Sequence, residues 1–349
     1  MQLRSLLLIS AACLPASALA QESCRQGSSR DENPATITVR SDNDLYGRAG
    51  QDQGYTNGVA VTFVSPNLAD LQQDPCLPAP ARWLNRYLTW LQPGGFDQQN
   101  MVLGLQHAIY TPTDGTRADL ITDDRPYAGV ATLSIGYNAR TGDSLRTTHL
   151  RVGMVGPSAW GEGGQDAIHH VFGRDRFKGW DNQLRDEVVV QLVHERLWRH
   201  RPEPRPSGWG WDAVGHAGGS LGNLATYANL GGELRWGRYL PDDFGSDPMR
   251  PAGENSAPAV RQRDGSQWAW HLFAGLDARA VAHDITLDGN TWKDSHSVDR
   301  RTVVADLSLG IAVTKGPWKI AGSHVRRTRE FNGQVERPVF GSISLSRSF

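Results

Sequence analysis

The chain has 349 residues, with 36 Lys+Arg against 37 Asp+Glu and a formal net charge of -1. That length accommodates one large domain or two modest ones and needs no disulfide framework in place of a core. The balanced charge gives none of the global basicity of a nucleic-acid binder. Beyond the N-terminus no apolar run is long enough to cross a bilayer as a helix. Gly is 38 and Trp 12 of 349, and such an excess without long apolar runs suits an all-β protein with aromatic girdles.

Met1 to Ala20 reads as a secretory signal: Arg4 is the positive region, Leu6 to Leu19 the apolar stretch, and Ala18-Leu19-Ala20 the small-residue cleavage site. The expected organisation is a cleaved segment 1–20 followed by a single domain over 21–349. Removal of Cys13 with the signal leaves Cys24 and Cys76, which either pair in an oxidising compartment or remain thiols. No Cys/His cluster suggests a metal-thiolate site.

The mature chain alternates with period two almost throughout. Segments with this pattern fall near 35–45, 54–65, 99–110, 126–139, 144–156, 185–199, 208–221, 225–238, 267–284, 300–314, 317–331 and 335–349. In the last of them Val339, Ile343 and Leu345 alternate with Ser342, Ser344 and Ser346, and the chain ends on Phe349, as outer-membrane barrel chains commonly do. The second face is rich in Ser, Thr, Gly, Asp and Arg, which suits a polar barrel interior better than the core of a sandwich. About twelve strands of this kind predict a transmembrane antiparallel up-and-down β-barrel with short helical insertions. Residues 66–98 are expected to hold a short amphipathic helix along Trp83, Leu84, Tyr87, Leu88 and Leu91. Residues 157–184 are expected to hold another near Gly161 to Phe172, and 240–266 a loop without strand pattern.

Three clusters bear on chemistry. Ser41-Asp42-Asn43-Asp44 ends the first strand and Asp52-Gln53-Gly54-Tyr55-Thr56-Asn57-Gly58 opens the second. This many oxygen donors suits either a hard cation such as calcium or a solvated polar rim. Alternation predicts Thr56 and Asp44 inside the barrel, with Tyr55 on the face of Val59 and Val61. Second, Gly156-Pro157 leads through Gly161-Glu162 to Gln165, His169, His170 and Asp175. Gln165 and His169 are four apart and share a helix face, so His169 is either a general base or an imidazole at the membrane interface. Third, Asp123-Asp124-Arg125-Pro126-Tyr127-Ala128-Gly129 reads as a structural turn starting a strand.

These blocks together resemble the outer-membrane lipid A 3′-O-deacylase family, LpxR. The matching pieces run in order: Asn43-Asp44-Leu45, Gly54-Tyr55-Thr56-Asn57-Gly58, Asp124 through Gly129, Gly156-Pro157 through Gly161-Glu162, Gln165 with His169, and Lys178 through Leu184. The C-terminal half matches only as barrel strands. The resemblance implies a calcium-dependent ester hydrolase of the cell outer membrane that removes the 3′-linked acyloxyacyl chain of lipid A. Its active site would lie inside a twelve-stranded barrel near the extracellular leaflet. Asn43, Thr56 and His169 fall on the family's catalytic positions and Asp44 on a metal position. The family's second acidic ligand corresponds to Asp175, where the family has Glu. A basic loop residue for substrate falls on Arg117, where the family has Lys. Lipid A or lipopolysaccharide is the implied partner, with no nucleic acid and no obligate protein partner. Two other readings stay open from the sequence, a non-catalytic porin-like barrel and a barrel phospholipase using a Ser/His pair. No G-x-S-x-G elbow supports an α/β-hydrolase serine.

Overall fold

The computed structural model describes residues 34–47, 54–68, 86, 96–202, 207–246 and 267–349. The expected signal segment, Cys24, Cys76, the stripe from Trp83 to Leu91, and 247–266 lie outside the described residues. The elements, in chain order, are β1 (Thr36–Asn43), β2 (Gly54–Val64), β3 (Gln98–Thr111), β4 (Ala128–Thr141), β5 (Ser144–Val155), α1 (Gly161–Phe172), β6 (Glu187–His200), β7 (Trp209–Gly222), β8 (Ala225–Arg238), β9 (Trp268–Asp284), α2 (Ile285–Asp288), β10 (Val303–Lys315), β11 (Trp318–Arg327) and β12 (Val339–Ser348). The twelve strands pair with their sequence neighbours and β1 closes on β12, so the sheet is an antiparallel barrel without an edge. Among the described residues no helix is long and apolar enough to cross a membrane.

The alternation read from the sequence sorts residues between the two faces. Along β6 buried and exposed positions alternate at every residue. Val188, Val190 and Leu192 point outward while Gln191 and Glu195 point in. Leu103, Leu105, Leu133 and Ile135 continue the apolar outer band on β3 and β4. Exposed Trp198, Trp211, Trp236, Trp268 and Trp318 ring the end of the barrel that carries both chain termini. Trp209 bridges this girdle, with ring centroids 4.9 Å from Trp236 and 5.4 Å from Trp270. The largest departures from the expected bounds are at β11 and β12, where 328–338 forms a loop rather than extended strand. It turns the Glu330 carboxylate inward to Arg125 (3.0 Å) and Arg327 (3.2 Å).

Charged groups inside the wall are paired. Asp306 receives Arg327 at 2.7 Å and Arg279 at 2.6 Å. Asp277 bonds His216 at 2.9 Å and Asn229 at 3.1 Å, and Asn229 donates on to Glu195 at 2.8 Å. Removing one member of such a buried pair costs about 3–5 kcal/mol, because the survivor stays in low dielectric.

Both ends of the interior are filled. At the girdle end the segment after β8 folds inward. Asp242 meets Arg140 (2.9 Å) and Arg199 (2.6 Å), and Asp243 meets Lys319 (3.1 Å) and Arg235. Phe244 is fully buried among Leu145, Leu197 and Val214. At the opposite end α2 tucks Ile285 and Leu287 into the barrel mouth. Arg125 pins it by donating to Thr286 (2.8 Å) and Glu330 (3.0 Å). The segment Asp123–Gly129 is therefore more than the expected turn, since it carries one of the most deeply buried cations of the chain. Between the two closures lies a cavity of about 190 Å³, lined in part by Arg40, Tyr55, Tyr110, Arg151, Tyr227 and Arg279.

The girdle-end plug generates a prediction. Burial alone would push its carboxyls up, but Lys319 and Arg235 around Asp243, and Arg140, Arg201 and Arg199 around Asp242, hold both below the ordinary carboxylate range. Folded values below the unfolded ones mean that the docking energy is complete above a pH of about 4 and is lost as pH falls through the depressed values. Amide exchange over 241–246 should therefore be slow at neutral pH and lose its protection only on strong acidification. Asp243→Asn should lose that protection at neutral pH, read by mass spectrometry. An unprotected wild-type segment at pH 7 would show that the plug does not dock.

Candidate active site

The hairpin cluster divides between the two sides of the wall. Asp42 points inward, where it accepts from Arg40 Nε (3.0 Å) and from the Tyr55 hydroxyl (2.7 Å). Asn43, the next residue, has the outward parity of Ile37 and Val39, and its register partners are Asn57 on β2 and Gly341 on β12. Its Oδ1 accepts from Leu45 N at 2.7 Å and so caps a 3-10 turn over Asp44–Tyr46. Asp44 opens that turn and is buried.

Two expectations about facing are corrected here. Alternation from Val59 placed Tyr55 outside and Thr56 inside, but the β2–β3 register shifts between Tyr55 and Asn57. This bulge adds one residue and reverses parity beyond it. Tyr55 turns into the barrel, lining the cavity, and Thr56 shares a 2.5 Å hydrogen bond with Thr111, whose parity is that of exposed Leu103 and Leu105. Strand alternation likewise does not reach Asp44, because β1 ends at Asn43. None of Asn43, Asp44, Thr56, Arg117, His169 or Asp175 lines the interior cavity. The expected inward placement is not met by Asn43, which has outward parity, by Thr56, which bonds outward-parity Thr111, or by His169, whose helix packs over outward-facing residues of β3 and β4.

The insertion between β5 and β6 roofs that surface. Gly156 (φ 108°) and Trp160 (φ 58°) turn the chain back, and α1 then lies over β3 and β4. Its seat is a contact between two glycines: a Cβ on Gly129 would meet Gly161 Cα at 2.7 Å, and one on Gly161 would meet Gly129 Cα at 2.8 Å. His107, on the outer parity of β3, steadies the turn by donating from Nε2 to the Ala159 carbonyl at 2.8 Å. Gly173, left-handed at φ 65°, ends the helix where its sequence pattern stops.

Within α1, Gly161, Gln165 and His169 are the buried residues. His169 Nδ1 lies 2.5 Å from the backbone carbonyl of Asp175, which can only accept, so Nδ1 carries the proton. Gln165 Nε2 lies 2.7 Å from His169 Nε2 and donates to its lone pair. The imidazole packs edge-on against Phe177, centroids 4.8 Å apart, and Phe177 leans on Tyr127, which stacks with Trp180. Ile109, on the outer parity of β3, completes this cluster. The result is a basic nitrogen of fixed tautomer, held in an apolar cradle against the same side of the wall as Asn43 and Thr56. His170 is exposed on the helix surface.

The remaining expected residues are placed less centrally. Asp175 is exposed and contributes its carbonyl to His169. Arg117 lies on the β3–β4 loop and is engaged with Asp119, whose carboxyl that hydrogen bond holds below its ordinary range. Its loop does border the site: Lys178 N donates to Gly115 O at 2.9 Å, and a Cβ on Gly115 would strike the Phe177 ring. Among the described residues no group of three or more His, Cys, Asp and Glu could hold a metal ion. Asp44 follows Asn43, whose register partner is Asn57, and Thr56 bonds Thr111, so this end of the first hairpin carries hard oxygen donors with a single carboxylate, the donor type a calcium ion takes. Sequence reasoning missed Phe177, Tyr127, Trp180, Ile109 and His107, although the first three lie within the quoted motif blocks or beside them.

The glycine contact yields a prediction. Gly129→Ala should weaken the seating of α1 by about 1–3 kcal/mol through overpacking, and Gly129→Val should lift it. Limited proteolysis should then cut within 156–186 faster, while the heat-modifiable migration of the barrel is unchanged. Undiminished protection would show that another contact seats the helix.

Comparison with known proteins agrees with this architecture. A family profile described as outer membrane protein LpxR matches residues 5–349. The solved structure of LpxR from Salmonella typhimurium has a TM-score of 0.71 at 16% identity, covering 90% of this chain and 100% of that chain, a likeness of fold. The β domain of the Bordetella autotransporter Brka gives a TM-score of 0.42 at 12% identity, covering 91% and 100%. No curated protein matches the chain. With the profile spanning all but the first four residues, the chain belongs to the LpxR family of outer membrane proteins.

Proposed function

We propose that this barrel is a lipid A 3′-O-deacylase, hydrolysing the ester that links the 3′ acyloxyacyl chain to the sugar. The observation that carries the reading is the buried His169, with Nδ1 tied to the Asp175 carbonyl and Nε2 directed at Gln165. Once the Gln165 amide swings off Nε2, that lone pair takes a proton from water, and the hydroxide adds to the ester carbonyl. Collapse of the tetrahedral intermediate breaks the bond to the sugar oxygen, which receives the proton from the imidazolium. Water and ester become a free acyloxyacyl acid and a 3′-hydroxyl. Gln165 holds the imidazole plane, and Asn43 and Thr56 orient water or ester from the opposite side. Asp44 is the carboxylate that would hold a calcium ion, with Asp175 as the second acidic candidate; the bound cation would supply positive charge beside the developing oxyanion. Arg117 is proposed to meet a lipid A phosphate as a bidentate donor.

The two rival readings lack support in the geometry. A porin needs an open lumen, whereas here α2 and the Pro241–Ser246 segment fill the two ends. Ser158 Oγ donates to Asp186 at 2.7 Å, so its partner is a carboxylate and not an imidazole. Ser246 does bond His271 at 2.8 Å, but both are buried in the plug, away from the leaflet that holds lipid A.

His169→Ala should lower deacylation by about 10²–10⁴-fold, the usual contribution of a general base, and Asp44→Ala should abolish it. Chelation should do the same, with calcium restoring the wild type but not Asp44→Ala. Mass spectrometry of lipid A from a host lacking the enzyme reads all three. Undiminished loss of the acyloxyacyl chain in His169→Ala would remove the assignment.

A further inference from the structure

The helix that roofs the site has an apolar flank that none of these roles uses. Gly161, Gln165 and His169 face the wall, and Gly164 stands on the adjoining side, where a Cβ would be 3.0 Å from His107 Cε1 and 3.2 Å from Ile109 Cδ1. His107 lies two residues nearer the middle of β3 than Ile109, and Leu105 and Leu103 follow it along the same outer face, 60% and 49% exposed. The Gly164 flank therefore rests on His107 and Ile109, with exposed Leu105 and Leu103 beyond them toward the middle of the barrel. Ile168 and Val171 continue that flank at four and seven residues. Val171 is 77% exposed, with Phe172 (53%) beside it and Trp160 (68%) at the other end of the helix. The opposite flank carries Glu162, Asp166 and His170. Trp160 holds a left-handed backbone at φ 58° and lays its ring across Gly163, where a Cβ would meet its Nε1 at 2.3 Å. A strained backbone that leaves an indole exposed points to an environment other than water for that ring.

We propose that the Ile168–Val171–Phe172 flank of α1, with Trp160, is a lipid-docking surface sunk into the outer leaflet, its occupant the acyl chains of membrane lipids. Continuity of the apolar surface points to that occupant. The flank lies directly above the exposed Leu103, Leu105, Leu133 and Ile135 band, so the lipid-facing surface of the barrel runs on without a break onto the helix. An amphipathic helix of this kind rests about 5–10 Å into the boundary between headgroups and acyl chains, with Trp at the interface. The surface stands on the fold and the placement of α1, and not on the hydrolase reading. It adds to that reading a depth, with His169 held at the boundary between headgroups and chains.

The test places a bimane label on Val171→Cys or on Glu162→Cys, each in a full chain carrying Cys13→Ser, Cys24→Ser and Cys76→Ser. The barrel is refolded into phosphatidylcholine vesicles with brominated acyl chains, and folding is scored by heat-modifiable migration. The label at 171 should show blue-shifted emission, quenching by bromine and loss of quenching by aqueous iodide; the label at 162 should show the reverse. Equal iodide quenching at both positions would overturn the proposal. So would a label at 171 shielded from both quenchers, which would indicate a second protein copy on the flank. Where a labelled variant does not fold, Trp160→Phe replaces it: loss of bromine-quenchable emission relative to wild type supports the surface, and no loss overturns it. A wild type that removes no acyl chain while its 171 label is bromine-quenched would refute the deacylase reading and leave this surface standing.

Discussion

A bilayer offers no water to an open strand edge, so the molecule depends on β1 pairing with β12. That seam runs in register from Thr36↔Ser348 to Asn43↔Gly341. It does more than satisfy backbone groups. Asn43 is the last residue of β1, and closure gives it a neighbour without a side chain on one side and Asn57 on the other. The turn Asp44–Tyr46 then folds over β12, so close that a Cβ on Gly341 would sit 2.6 Å from Tyr46 Cβ. The candidate metal carboxylate therefore owes its buried position to the closing strand, which is nearly three hundred residues away in sequence.

Much of the architecture was legible because a strand has only two faces. A one-residue slip would carry a whole strand's outward apolar set to the other face, so the alternation reveals both the strand count and most of the bounds. The ends of α1 were legible for a different reason: Gly161 is needed for close contact with Gly129, and Gly173 for a left-handed stop. The failures are equally physical. The bulge at Tyr55–Asn57 inserts one residue, and a period-two pattern carries no warning of that. The error matters, since it placed Thr56 on the wrong side of the wall. The plug read as a loop because Pro241, Asp242 and Asp243 are ordinary loop residues. Their partners, Arg140, Arg199, Arg235 and Lys319, come from strands far apart in sequence. Likewise Gln165 and His169 were placed on one helix face by spacing alone, while the carbonyl of Asp175 that fixes the tautomer belongs to the turn beyond that helix.

The interior lattice and the outer site are linked by what each can accommodate. Arg279, Arg327, Asp306 and Asp277 close around one another within the barrel. A lipid chain entering there would break ion pairs whose members cannot be rehydrated. The plug at one end and α2 at the other narrow the interior to a partly open cavity of about 190 Å³.

On the proposed reading, a membrane lipid reaches this protein from the side. Lateral access requires that the reactive groups lie on the outward face, where every other residue meets hydrocarbon. A bare histidine or carboxylate there would be costly in lipid. The helix α1 resolves the conflict by bringing its own apolar flank to the lipid and its polar residues to the wall. Phe177, Tyr127, Trp180 and Ile109 shield the imidazole beneath it. The bulge at Thr56 and the turn at Asp44 then need only supply oxygen donors at the rim, where the strands leave the bilayer. The proposed site and its proposed depth answer to the same constraint: polar side chains are tolerated on the outside of a barrel only where the protein builds a cover over them.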